Sequence, residues 1–99
     1  MKPVAVLSDA AEDIERARDF YEFNESGVGY YFVDSIMADI ESLALFHGIH
    51  AKHLGSHRVL ASRFPFGIYY EETPSTSYVF AVLDMRRSPL WIRKELDRR

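Results

Sequence analysis

The chain has no cysteine among its 99 residues, which excludes disulfide staples, thiolate nucleophiles and cysteine metal ligands and suits a reducing cytoplasm. Long apolar runs are missing too. Val4-Ala5-Val6-Leu7 is too short for a secretory signal core and meets Asp9, Glu12 and Asp13 at once, so neither an export signal nor a membrane span is expected. There is no glycine-rich phosphate loop and no Gly-x-Ser-x-Gly nucleophile turn, which removes the commonest nucleotide-binding and serine-hydrolase signatures. Basic residues are scarce in the first half: residues 1–50 hold 3 Lys+Arg against 10 Asp+Glu, while residues 51–99 hold 9 against 5. A cationic contact surface has to come from the second half.

What is present is a 47% hydrophobic, aromatic-rich chain long enough for one core, and a single domain over residues 1–99 is expected. Val4 to Leu7 reads as a short strand. Asp9-Ala10-Ala11-Glu12 then fits a helix start with a capping carboxylate, and Ile14, Ala17 and Tyr21 recur at helical spacing. Glu12, Asp13, Glu15, Arg16 and Asp19 fall on the wet side of that helix.

Gly27 and Gly29 reverse the chain, and a stripe of Val28, Phe32, Ile36, Ile40 and Leu43, broadened by Tyr31 and Met37, predicts a second helix up to Gly48 as the longest element. His57 to Phe64, Phe66 to Glu72 and Ser77 to Leu83 read as three meandering strands, with Pro74 in the last turn. Leu90 to Arg99 predicts a final helix anchored by Trp91 and Leu90. The fold class is α+β: a helical hairpin on an antiparallel sheet, with a short C-terminal helix.

Several groups of residues have chemical potential. Histidines 47, 50, 53 and 57 have a spacing that would align imidazoles on a helix, but Gly48 and Gly55 interrupt it, so no metal and no cofactor is expected. Imidazoles at His53 and His57, just before the sheet, also suit general acid and base work near neutral pH. Tyr69 and Tyr70 point to opposite sheet faces, which predicts one core ring and one presented ring. Arg86 and Arg87 follow the last strand, each able to fork onto a carboxylate or phosphate or stack on a ring, and Asp84 is in reach of Arg86. Tyr30, Tyr31 and Phe32 exceed the aromatics that one core stripe needs, which suggests a partner groove on the helical hairpin.

Arg63-Phe64-Pro65-Phe66-Gly67-Ile68-Tyr69-Tyr70, then Tyr78-Val79-Phe80-Ala81-Val82-Leu83, then Arg86-Arg87-Ser88-Pro89, resembles in order and spacing the C-terminal half of RelE/ParE-type toxins of bacterial toxin–antitoxin modules, nearest the ParE branch. The resemblance implies a plasmid-stabilisation type toxin that inhibits DNA gyrase by protein binding and is neutralised by a cognate antitoxin. On that reading there is no catalytic residue, the target is met by Arg63, Tyr69, Arg86, Arg87, Trp91 and Arg93, and the antitoxin by Tyr30 and Tyr31. The same family implies an alternative, a ribosome-dependent mRNA endoribonuclease using His53, His57 and Arg63, and a third, a degenerate toxin that keeps only antitoxin binding. Whether the chain is an enzyme stays open at this level. RelE-type nucleases carry a cation near the position of Gly67, which leaves a hole there in this chain and counts against RNA cleavage.

Overall fold

The computed structural model describes residues 1–99 in the order β1 (Val4–Val6), α1 (Ser8–Asn24), α2 (Val28–Glu41), α3 (Leu43–Phe46), β2 (Lys52–His53), β3 (Ser56–Leu60), β4 (Phe66–Glu72), β5 (Ser77–Asp84) and α4 (Pro89–Asp97). The strands form one sheet ordered β1-β5-β4-β3-β2, antiparallel except for the parallel pairing of β1 with β5. This is the α+β architecture that the apolar periodicities predict. No helix is long and apolar enough to cross a membrane.

The α1–α2 hairpin packs on one sheet face. Ile14 and Ala17 of α1 and Phe32, Ile36 and Ile40 of α2 meet Phe66, Ile68, Tyr70, Val79 and Val82 in the larger core. Close approach of the two helices requires Gly29, where a Cβ would stand 2.5 Å from the Arg18 carbonyl oxygen. Glu22 fixes the same corner, its carboxylate accepting the Gly27 and Gly29 amides at 2.9 and 3.0 Å. An orphan amide of the second helix is thus satisfied from the first. Gly27 itself adopts φ +91°, a left-handed value natural to glycine.

The other sheet face is covered by α4, whose Ile92 is buried with Tyr69, Ala81 and Leu83. Residues 79 and 82 face one core while 81 and 83 face the other, because β5 carries an extra residue: Tyr69 pairs with Ala81 but Tyr70 with Val79. That β-bulge flips the alternation at Phe80.

Several expectations are corrected. The longest helix is α1, with 17 residues against 14 for α2, since Ser42 separates α2 from the single turn of α3. No side chain caps α1; Leu7 precedes it in extended form, its amide held by the Val79 carbonyl at 2.9 Å, and Asp9 sits within the first turn, favourable to the helix dipole. β3 ends at Leu60, and Phe64 instead tucks into the aromatic core, 4.9 Å from Phe32 and 5.0 Å from Tyr21. The inward anchor of α4 is Ile92, whereas Leu90 is exposed and Trp91 half-buried.

The largest correction concerns Asp13, placed on the wet side by periodicity but buried in the fold. Its carboxylate accepts the Val82 amide at 3.0 Å and a two-pronged contact from Arg99, whose Nη2 lies 2.8 Å from Oδ1 and whose Nη1 bonds Oδ2. Both side chains of the pair are 4% exposed. Removing Arg99 leaves the buried Asp13 carboxylate only the exposed Arg16, at 2.8 Å, and removing Asp13 leaves Arg99 only Glu95, at 3.1 Å. Arg99→Ala and Asp13→Ala should therefore each lower unfolding free energy in urea by up to about 3–5 kcal/mol, and the double variant should cost clearly less than the sum.

Candidate functional site

The strands sort the polar side chains onto two faces. In β3, His57 and Val59 turn to the hairpin side, and Arg58 and Leu60 turn to the α4 side. In β4, Gly67 and Tyr69 share the α4 side. The turn Met85–Ser88 then leads into α4, with the Ser88 hydroxyl accepting the Trp91 amide at 3.2 Å and Pro89 in the first turn. Arg87 and Arg93 are thereby delivered beside Arg58.

These residues line an open cleft of about 810 Å³ bounded by His53 and Leu54 of the β2–β3 hairpin, by Tyr69 and Met85 beneath, and by Leu90 and Ile92 of α4. Arg58, Arg87 and Arg93 all line it, no carboxylate does, and none of the three takes part in an ion pair. Arg58 is the least satisfied. Its stem lies over Gly67, its Nη1 reaches only the Met85 sulfur at 3.7 Å, and its buried Nε has no partner. The expected hole at Gly67 does not exist: a Cβ there would come within 2.9 Å of the Met85 sulfur and 3.1 Å of the Arg58 Cδ.

A second groove, of about 540 Å³, runs between α1 and α4, and Arg86, Arg87 and Trp91 line it together with Phe20 and Tyr21. Here the arginines are largely engaged. Arg86 clasps Asp84 through Nε at 3.0 Å and Nη2 at 2.8 Å, which holds the Asp84 carboxyl below its usual range and raises the guanidinium's own value. Arg87 instead lies over the Trp91 ring, 4.0 Å from its centroid, and borders both grooves.

The other candidate residues are dispersed. Arg63 is on the far side, bonding the Tyr31 hydroxyl at 3.0 Å and standing over its ring, so it joins neither the cleft nor the paired arginines. Tyr69 is 1% exposed beneath α4, so both tyrosines of the Ile-Tyr-Tyr run are core; with helices on both sheet faces neither ring is presented. Tyr30 and Tyr31 are exposed on α2. His53 borders the cleft, but His57 is on the opposite face, so the two imidazoles do not form an acid–base pair. Arg58 was not among the sequence candidates, although alternation against His57 in the predicted strand places it on the arginine-bearing face.

The remaining histidines are structural. The Tyr70 hydroxyl accepts the Gly48 amide at 3.0 Å and donates to His50 Nδ1 at 2.5 Å. His57 stacks on the Tyr70 ring, centroids 5.1 Å apart, and donates from Nδ1 to the His50 carbonyl at 2.7 Å. Burial pushes the Tyr70 hydroxyl up. Burial also pushes the His50 imidazole below its ordinary value, and the neighbouring His57 adds to this. Nearby, burial pushes the Glu72 carboxyl up, but hydrogen bonds from Lys2 and Ser77 outweigh it and the group lies low overall; His47 stands 3.3 Å away. No three His, Asp or Glu side chains are grouped so as to hold a metal ion.

No protein-family profile matches the chain, and no curated protein matches it in sequence. Among solved structures it is similar to a chain described as "Chromosomal ParDE TA system from P. aeruginosa", with a TM-score of 0.73 and 16% identity over 83% of this chain and 94% of that one. At that identity the likeness is one of fold, and it extends over almost the whole of the other chain.

The His50 contact sets a pH dependence. A histidine whose folded value is depressed leaves the unfolded state to bind more protons, so its stabilising contribution is intact above the ordinary value of 6.5 and is lost as pH falls below it. Thermal unfolding temperature should therefore drop between about pH 6.5 and 5, before the carboxylates titrate. His50→Gln, which keeps an acceptor for Tyr70 but cannot ionise there, should flatten the decline in that window.

Proposed function

We propose that the chain is the toxin of a toxin–antitoxin pair, a cytoplasmic protein restrained by a cognate antitoxin and acting by binding a protein target, DNA gyrase. The observation that carries this reading is the fold shared with the ParDE chain at a TM-score of 0.73, together with the three sequence motifs on β4, β5 and the turn before α4. The target is met by the edge where Arg86, Arg87 and Trp91 meet, with Arg93, two residues after Trp91, lining the adjoining cleft; Tyr30 and Tyr31 on α2 are offered to the antitoxin. An arginine clasped by a neighbouring carboxylate beside a guanidinium–indole stack is rigid, and rigid arginine and tryptophan side chains dominate protein interfaces. Separation of His53 from His57 by the thickness of the sheet supports binding over catalysis.

A second reading, ribosome-dependent mRNA cleavage, draws support from one feature: the carboxylate-free arginines of the cleft, with His53 at its border, suit a phosphate backbone. Arg63 and His57, which that reading also invoked, lie elsewhere.

Induction in cells separates the two. The gyrase reading expects growth arrest with intact transcripts, relieved by Arg86→Ala with Arg87→Ala, and at least about tenfold weaker gyrase binding in a pull-down titration. Circular dichroism of the double variant should be unchanged, because exposed ion pairs contribute only about 0–1 kcal/mol. His53→Ala should leave the arrest as it is. Codon-specific transcript cuts abolished by His53→Ala would replace gyrase by the ribosome, and no arrest at all would leave a partner-binding protein without a poison.

A further inference from the structure

The cleft beneath α4 has a charge pattern unlike any other part of the chain. Arg16, Arg18, Arg86, Arg98 and Arg99 each contact a carboxylate, but Arg58 and Arg93 contact none and share one concave surface, with Arg87, stacked on Trp91, at its border. A guanidinium carries five N–H donors in a fixed fork. For Arg58 the only acceptor the protein supplies is a sulfur at 3.7 Å, and its buried Nε has none. Such a group calls for a bidentate anion, and carboxylate and phosphate both fit the fork.

The walls decide between them. Single-stranded nucleic acid is held by rings on which bases stack. Two rings line this cleft, Tyr69, buried at 1% exposure, and the exposed imidazole of His53 at its border, so one small ring is offered where stacking uses a row of them; Trp91 turns its face to Arg87 on the other side. Exposed surface around the arginines is aliphatic instead: Leu54, Leu60 and Leu90, each more than half exposed, with Pro89. Aliphatic walls favour aliphatic side chains, which are worth about 25 cal/mol for each Å² they bury.

We propose that the cleft is a receptor for an acidic, aliphatic peptide segment of a protein partner, with carboxylates forked onto Arg58 and Arg93 and leucine-like side chains laid on Leu54, Leu60 and Leu90. It rests on the reading above only in taking this edge as protein-binding; the ligand chemistry follows from the cleft. The complementary charge explains why Arg58 and Arg93 are held in one cleft without a counter-ion of the chain's own, an arrangement that costs mutual repulsion until an anionic partner arrives.

Calorimetric titration of the full chain at moderate salt tests it with three probes: a short end-capped peptide alternating glutamate and leucine, the same peptide with serine for leucine, and a single-stranded RNA of equal charge. The glutamate–leucine peptide should bind at least about tenfold more tightly than either of the others. Arg93→Gln, which is exposed and structurally neutral, should weaken it about tenfold, as should Arg58→Gln if circular dichroism shows that variant folded; Arg18→Gln should change nothing. Tighter binding of the RNA, equal binding of the serine peptide, or indifference to Arg93→Gln would each overturn the proposal. Its failure is distinct from failure of the toxin reading: growth arrest relieved at Arg86 and Arg87 without peptide binding removes this inference alone, and peptide binding without growth arrest removes the other.

Discussion

The α4 side of the molecule depends on how the edge of β5 is closed beyond the end of β1. β1 covers that edge only as far as Val79, after which the chain turns into α1. The bulge at Phe80 then rotates the next residues, so the Phe80 carbonyl and the Val82 amide face the uncovered side. Asp13 supplies the missing acceptor to Val82, and Arg99 the missing donor to Phe80 at 3.2 Å. One ion pair thus stands in for a short stretch of strand. A buried backbone group left without a partner costs about 1–3 kcal/mol, so the pair does what a β1 two residues longer would do. Because Arg99 lies just past α4 and Asp13 on α1, closing the edge also fixes where α4 crosses the sheet.

The cationic cleft inherits its geometry from that closure. The flipped alternation turns Ala81 and Leu83 to the α4 side, where they and Tyr69 provide the floor on which Ile92 seats. Seated there, α4 holds Arg93 and the turn before it holds Arg87, opposite Arg58 from β3. Four of the five carboxylates in this half of the chain are committed: Asp84 to Arg86, Glu95 to Arg98 and Arg99, Glu72 to Lys2 and Ser77, and Glu71 to the Ser56 hydroxyl at 2.6 Å; the fifth, Asp97, is exposed and lies outside the cleft. What looks in the composition like a modest basic excess becomes, after pairing, two guanidinium groups without a carboxylate, Arg58 and Arg93, in one cleft with Arg87 at its border.

The main architecture was legible because its long elements carry a clean period: the Val28-to-Leu43 stripe marks its buried face, and Phe66–Glu72 and Ser77–Asp84 coincide almost residue for residue with expectation, whereas the two-residue β2 and the single turn of α3 are too short to show one. Pairing that depends on distant sequence was not. Little local distinguishes Asp13 from Glu12 or Glu15, since Arg16 three residues on is within reach of Glu12 as well, and the buried partners of Asp13, the Val82 amide and Arg99, are 69 and 86 residues away. A bulge is likewise invisible to alternation, which puts Val79 and Ala81 on one face when they lie on two. At the site, Arg86 clasping Asp84 followed from their spacing. Arg63 was misplaced because the turn after β3 carries it back to Tyr31, and Tyr69 because α4 covers the face where a ring was expected to stand free. Arg58 carries no local signal that sets it above its neighbour His57, which the fold spends on Tyr70.

The guanidinium–indole stack of Arg87 on Trp91 also makes the molecule readable by light. Trp91 is the chain's sole tryptophan and lines the α1–α4 groove, so indole emission senses the seating of α4 and the occupancy of that groove, and the cationic cleft only through Arg87. Far-ultraviolet dichroism, in contrast, is dominated by the α1–α2 hairpin and the sheet. Superposition of the two melting curves would mark a single cooperative unit, and an earlier optical transition at the indole would mark α4 as a segment that undocks while the rest stays folded.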